Sequence, residues 1–160
     1  MFNLDELIYD CANTFFCRLI KPNLSFTSVH ELTEEEINIL IDHFNIKGII
    51  LDVDDTLRYN MEEISTVTLK WVDMLASKLK VVVVSNGIDK KVESLLNRRK
   101  INYISMALKP FRKNFLKACN MIGLNPKEVA VVGDDLIADI YGGNRNDMFT
   151  IWISKKKIIT

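Results

Sequence analysis

The 160-residue chain has little of what punctuates or cross-links a fold: six glycines, three prolines, three cysteines and two histidines. So few Gly and Pro exclude a collagen-like repeat and a loop-rich scaffold and argue against disorder, leaving most of the chain to helix and strand. Cys11, Cys17 and Cys119 are odd in number and form no C-x-x-C pair, so neither a disulfide framework nor a zinc site is implied. Reduced thiols of a cytoplasmic protein are the simpler reading. His30 and His43 stand apart from any metal-ligand spacing and read as ordinary helix or loop residues. Neither sign of charge is in excess: 21 Lys plus Arg balance 21 Asp plus Glu, so the basic surplus of a nucleic-acid binder is missing. No apolar run approaches the ~18 residues of a membrane span. The start, Met1-Phe2-Asn3-Leu4-Asp5-Glu6, is acidic where a secretory signal would be basic, so neither a span nor an export signal is expected.

What is present is an ordinary globular composition, 48% apolar and 26% charged, enough for one compact domain over 1–160. Two parts are expected within it, a helical segment over 1–45 and an α/β core over 46–160. In the first, Phe2, Leu4, Leu7, Ile8, Cys11, Ala12, Phe15, Phe16, Leu19 and Ile20 recur at helical spacing, with Asp5, Glu6, Asp10 and Asn13 opposite. This amphipathic helix, ended near Pro22, reads as packed on the domain's flank; the sharper alternative is peripheral contact with a membrane or a partner. Its acidic polar face favours the first, because interfacial helices carry Lys and Arg there. Thr33 followed three residues later by Glu36 is a capping box and opens a second helix through about Phe44.

Beyond it, short apolar runs alternate with helical patterns. Residues 46–51, 81–84, 129–132 and 149–153, with a weaker run at 101–104, read as strands buried on both faces. Helical patterns lie at about 65–79, 89–100, 111–121 and 135–141. Five such alternations with right-handed crossovers give a doubly wound, Rossmann-like, mostly parallel five-stranded sheet with helices on both faces.

In such sheets ligands bind beyond the carboxyl ends of the strands. The first strand runs into Asp52-Val53-Asp54-Asp55-Thr56-Leu57, the second into Ser85-Asn86-Gly87, the third is followed by Lys109-Pro110, and the fourth ends in Gly133-Asp134-Asp135 with Asp139 five residues beyond Asp134. Asp52 and Asp54, two apart on extended chain, aim their carboxylates at one spot while Val53 points into the core. Adding Asp134 creates repulsion that a hard cation relieves, and all-oxygen ligation suits Mg²⁺, which takes one or two carboxylates plus a substrate phosphate. Lys109 and the Ser85 hydroxyl then complete a nucleophile, an acid/base, a clamp and hydrogen-bond donors, the set that phosphoryl transfer needs.

This ordered set resembles the haloacid dehalogenase (HAD) superfamily of aspartate-nucleophile phosphatases. The block Gly133-Asp134-Asp135-Leu136-Ile137-Ala138-Asp139, running on through Ile140-Tyr141-Gly142-Gly143-Asn144-Arg145, together with Ser85-Asn86 and Lys109-Pro110, looks like the YqeG-type subgroup of class IIIA. The stretches 20–24 and 28–32 are similar to that subgroup's N-terminal region. The resemblance implies a capless core with sheet order 3-2-1-4-5. It implies that Asp52 attacks phosphorus to form an aspartyl-phosphate, and that Asp54 protonates the leaving oxygen and then activates water. It further implies that Ser85 and Lys109 hold phosphoryl oxygens and that Asp52, the Asp54 carbonyl and Asp134 hold Mg²⁺, with Asp139 supporting the metal shell or orienting Lys109. Thr56 and Asn86 join the substrate-binding set, Thr56 also bracing the turn after the strand. Asp135 stands where the subgroup often has an amide.

The competing reading is a receiver-like phosphoacceptor switch, which needs no acid/base beside the nucleophile; Asp54 argues for turnover. The interval from Asp54 to the helical pattern near Glu62, like that from Ser85 to Lys109, is too short for a cap domain. The open site therefore suits a phosphate on a bulky or surface-held molecule, or closure by another subunit of an oligomer. By resemblance the substrate is phosphatidylglycerophosphate or another bulky phosphate ester. Arg58, Arg112 and Arg145 are candidates for gripping a second anion. Arg145 follows the turn signal Gly142-Gly143-Asn144, whereas solvated surface is the simpler reading for Arg58 and Arg112.

Overall fold

The computed structural model describes residues 16–154. Among them six strands, β1 (Leu24–Phe26), β2 (Gly48–Leu51), β3 (Lys80–Val84), β4 (Asn102–Ile104), β5 (Val129–Gly133) and β6 (Phe149–Ile153), pair in parallel in the order β1-β6-β5-β2-β3-β4. The five strands expected from the sequence are β2 to β6 and keep the order 3-2-1-4-5. The strand count is corrected to six: β1 adds an edge strand beside β6, with Leu24 opposite Ile151 and Phe26 opposite Ile153. Three residues are too few for a periodicity to reveal. Within 1–45, expected as a helical segment, the described residues hold the helix Glu34–Phe44 and also β1, which is built into the sheet. Most of the first amphipathic helix, with Cys11, lies outside the described residues; Phe16–Leu19 are helical.

The helices are α1 (Glu34–Phe44), α2 (Thr66–Lys78), α3 (Lys90–Asn97) and α4 (Arg112–Ile122). Glu36 accepts from the Thr33 N–H at 3.1 Å, as the capping box requires. Alternate strand residues face opposite layers. Ile49, Leu51, Val81, Val83, Ala130 and Val132 pack with α1, α2 and α3 through Leu40, Trp71, Leu75 and Leu96. Ile50, Val82, Val84 and Val131 pack with α4 through Phe115, Ala118 and Cys119. Both faces are buried, which is why these strands read as unbroken apolar runs.

After β5 the chain makes a π-helical turn, Leu136–Tyr141, that continues as an α-helical turn over Gly142–Asn144. The turn expected at Gly142-Gly143 is thus helical. The glycines are there for close packing: a Cβ on Gly142 would lie 2.6 Å from the Phe115 ring, and one on Gly143 2.7 Å from the Thr150 methyl. Asn144 ties this segment to the N-terminal stretch by donating to the Leu19 and Lys21 carbonyls at 2.6 and 3.0 Å. No described helix is long and apolar enough to cross a membrane.

Candidate active site

Asp52 immediately follows β2, and its N–H continues the ladder by donating to the Val132 carbonyl at 2.9 Å. The chain then reverses sharply: the Val53 carbonyl accepts from the N–H groups of Thr56, Leu57 and Arg58, with Asp55 in the left-handed region at φ 59°. Val53 is buried on the core side, as its alternation requires. The Thr56 hydroxyl is inside the turn and lies 3.3 Å from Asp52 Oδ2.

Lys109 Nζ, almost wholly buried, donates to Asp52 Oδ1 and to Asp139 Oδ1, each at 2.6 Å. Burial alone would lower the ammonium pKa, but Asp139 and Asp52 together hold it above its ordinary value. Burial pushes the Asp52 carboxyl up against the opposing pull of Lys109, and pushes Asp139 up to about 7. Gly133 makes room for this arrangement, since a Cβ there would sit 2.1 Å from Asp139 Oδ2. Asp139 Oδ2 accepts from the Asp135 N–H at 3.2 Å, so both oxygens of Asp139 already have protein partners. Asp135 itself caps the π-helical turn, its Oδ1 accepting from Ile137 and Ala138 N–H, each at 2.8 Å. An amide could do the same.

Carboxylate oxygens of Asp52, Asp134 and Asp139 lie within 4.8 Å of one another. Carboxylates this close repel one another, and hard oxygen donors fit a small divalent cation. Asp52, Asp134 and Asp139 are together the group whose oxygens could hold one, while Lys109 also bonds Asp52 and Asp139.

Asp54 pairs with Arg58 instead of Lys109: its Oδ1 accepts from Arg58 Nε at 2.8 Å, and Arg58 Nη1 reaches Asp89 Oδ2 at 2.6 Å. Arg58 is 7% exposed, so the surface reading is corrected and its guanidinium grips two carboxylates of the chain. Those two partners offset the desolvation of burying the cation. Asp54 Oδ2 and Ser85 Oγ flank Gly87, lying 3.8 and 3.6 Å from the position of a Cβ built there. Ser85 Oγ accepts from the Gly87 N–H at 3.1 Å and is also a partner of the Tyr103 hydroxyl.

Asn86, expected to meet substrate, uses its amide on the main chain of Lys109, accepting from the N–H at 2.7 Å and donating to the carbonyl at 3.4 Å. Arg145 is exposed, and its guanidinium stands 5.4 Å from the centroid of Tyr141. Arg112 is exposed and donates to Asn146 Oδ1 at 2.9 Å. A cleft of about 810 Å³ opens beside Arg58 and Asp89, between Met61–Ile64 and α3. The sequence reading missed Asp89 and Tyr103, and the pairing of Arg58 with Asp54; for the last, the i,i+4 spacing is the signal that could have found it.

A family model described as mitochondrial PGP phosphatase matches residues 11–157. The probable phosphatase YqeG of Bacillus subtilis is 34% identical over 134 residues, covering 82% of this chain and 76% of that protein. Among solved structures, an uncharacterized protein from Listeria monocytogenes matches with a TM-score of 0.54 at 18% identity, covering 67% of this chain and 78% of that one. The cobalt-bound deoxy-D-mannose-octulosonate 8-phosphate phosphatase of Haemophilus influenzae matches with a TM-score of 0.50 at 18% identity, over 69% and 79%.

Proposed function

The chain belongs to the mitochondrial PGP phosphatase family of HAD-type hydrolases and is a phosphatase; from that premise we propose that it hydrolyses phosphomonoesters with Mg²⁺ through an aspartyl-phosphate on Asp52. The observation that carries this reading is the bridge of Lys109 Nζ between Asp52 and Asp139 at 2.6 Å each. It fixes one carboxylate oxygen of Asp52 and turns the carboxylate toward the mouth of the sheet. It also supplies a positive charge where a phosphoryl group must sit.

Asp52 attacks phosphorus, the phosphorus–ester oxygen bond breaks, and Asp54 gives the departing oxygen its proton. Asp54 then takes a proton from water, whose oxygen attacks the same phosphorus; the bond to Asp52 breaks, restoring the carboxylate and releasing inorganic phosphate. Arg58 holds Asp54 Oδ1, so Oδ2, which like Ser85 Oγ lies near Gly87, is the oxygen that exchanges the proton. Ser85 and Lys109 bind the phosphoryl oxygens, and Thr56 holds the Asp52 turn. Asp52, the Asp54 carbonyl and Asp134 would hold Mg²⁺, which when bound neutralises phosphoryl charge. Asp139 orients Lys109.

The substrate we infer is phosphatidylglycerophosphate or another bulky phosphate ester. Support comes from the family match and from the short connections around the site, which carry no lid among the described residues. A panel of phosphomonoesters, phosphatidylglycerophosphate in mixed micelles among them, assayed with Mg²⁺ and with EDTA, tests reaction, cofactor and substrate together. Asp52→Asn is expected to remove Mg²⁺-dependent turnover while the fold, read by circular dichroism, survives. Turnover retained in that variant overturns the nucleophile assignment. Soluble phosphoesters cleaved well with none released from the lipid overturns the lipid reading.

A further inference from the structure

Four large apolar side chains stand in solvent on the loops that surround Lys109: Ile88 at 65% exposure, Met106 at 58%, Leu108 at 64% and Phe111 at 66%. The two loops are tied together, Met106 N–H donating to the Gly87 carbonyl at 3.2 Å and Lys109 N–H to Asn86. Ala107 and Lys109 alternate inward while Met106 and Leu108 alternate outward, so the segment that presents the catalytic lysine also presents an apolar rim. Met61, 73% exposed, lines the cleft together with Ile88.

Two features of this rim cost stability in water. Met106 and Leu108 adopt φ of 49° and 50°, a left-handed backbone that Asn or Gly would take more readily. The helices behind the rim also begin with cations: Arg112-Lys113 open α4 just after Phe111 with no acid in that first turn, and Lys90-Lys91 open α3 just after Ile88, where the Asp89 cap and Glu93 partly balance them. First-turn cations oppose the helix macrodipole. Against an anionic surface with an apolar interior the exposed side chains leave water and the basic pairs meet phosphates, gains that offset both costs. A two-fold dimer across the same face would instead set like-charged pairs against each other.

We propose that this rim is an interfacial docking surface that seats the active-site mouth on an anionic lipid bilayer. The proposal rests on the lipid-phosphate reading above, yet its test needs no turnover. The full chain is sedimented with vesicles of phosphatidylcholine, with and without phosphatidylglycerol. A triple variant, Met106→Asn, Leu108→Asn and Phe111→Ser, keeps residues suited to the left-handed backbone while stripping the apolar tips. The wild type is expected to pellet with the anionic vesicles and the triple variant to partition roughly tenfold less or lower, with p-nitrophenyl phosphate turnover unchanged. A second variant, Lys90→Gln, Lys91→Gln and Lys113→Gln, decides the matter if the first fails to fold. It should lose most of the partitioning and its salt sensitivity.

Equal partitioning of wild type and variants, or none by the wild type, overturns the proposal. So does a wild-type dimer that the triple variant breaks into monomers without change in vesicle binding. Rim-dependent binding by a protein that releases nothing from phosphatidylglycerophosphate upholds the docking surface and overturns only the substrate reading.

Discussion

Asn86 holds Lys109 by its peptide: the side-chain oxygen accepts from the Lys109 N–H at 2.7 Å, and the amide nitrogen donates to the Lys109 carbonyl at 3.4 Å. The Lys109 ammonium therefore starts from a backbone fixed by a residue of the neighbouring strand end. Asn86→Ala is expected to leave the core intact and lower kcat/KM by up to roughly 10²-fold, the cost of misplacing a charge by about an ångström. Steady-state kinetics on a soluble phosphoester checks this; Asn86→Asp, which keeps the acceptor, should recover part of the loss.

The site's charged centre was legible in the sequence because Asp52 and Asp134 directly follow apolar strands and Lys109 and Asp139 lie in the segments just beyond strand ends, which is where doubly wound sheets place chemistry. Asp52, Lys109, Asp134 and Asp139 meet as that logic requires. Arg58 was not legible, because its burial depends on Asp89, 31 residues away. Nor was β1, whose three residues are held by pairing with β6 and not by a pattern of their own. Asn86 was picked out at the right place, but its hold on the Lys109 main chain was not legible, since a strand-end amide can turn to a ligand or to a neighbouring loop with equal ease. The π-helical form of Leu136–Tyr141 has no counterpart in residue spacing.

Gly133 carries a prediction of its own. A methyl group there would meet Asp139 Oδ2 at 2.1 Å and Cγ at 2.2 Å, so Asp139 must move or the strand must shift. Gly133→Ala is expected to cost about 1–3 kcal/mol of stability by overpacking and to reduce turnover by loosening Lys109. Denaturant unfolding and phosphatase rates on the same preparation separate the two effects.

Asp89 links Arg58 to the N-terminus of α3. The Val92 N–H, then the Arg58 guanidinium, hold its carboxyl below the ordinary 3.8. A carboxylate with a depressed folded pKa stabilises above 3.8 and loses that contribution as pH falls through the lower folded value. Asp89→Asn keeps the helix cap but drops the ion pair, and is expected to cost about 1–2 kcal/mol near neutrality. Melting temperatures of the two proteins should converge as the pH is lowered below 3.8; a gap constant with pH contradicts the assigned pairing.

The account stands or falls on whether phosphate passes through Asp52. With p-nitrophenyl phosphate the leaving group departs without a proton, so Asp54→Asn should still let Asp52 attack but should stall the water step by roughly 10²–10⁴-fold. Acid quench of that variant in the presence of Mg²⁺, followed by peptide mass mapping, is expected to find one phosphoryl group on the peptide containing Asp52, absent when Asp52 is also changed to Asn. No adduct under these conditions, or an adduct on a peptide without Asp52, would contradict it.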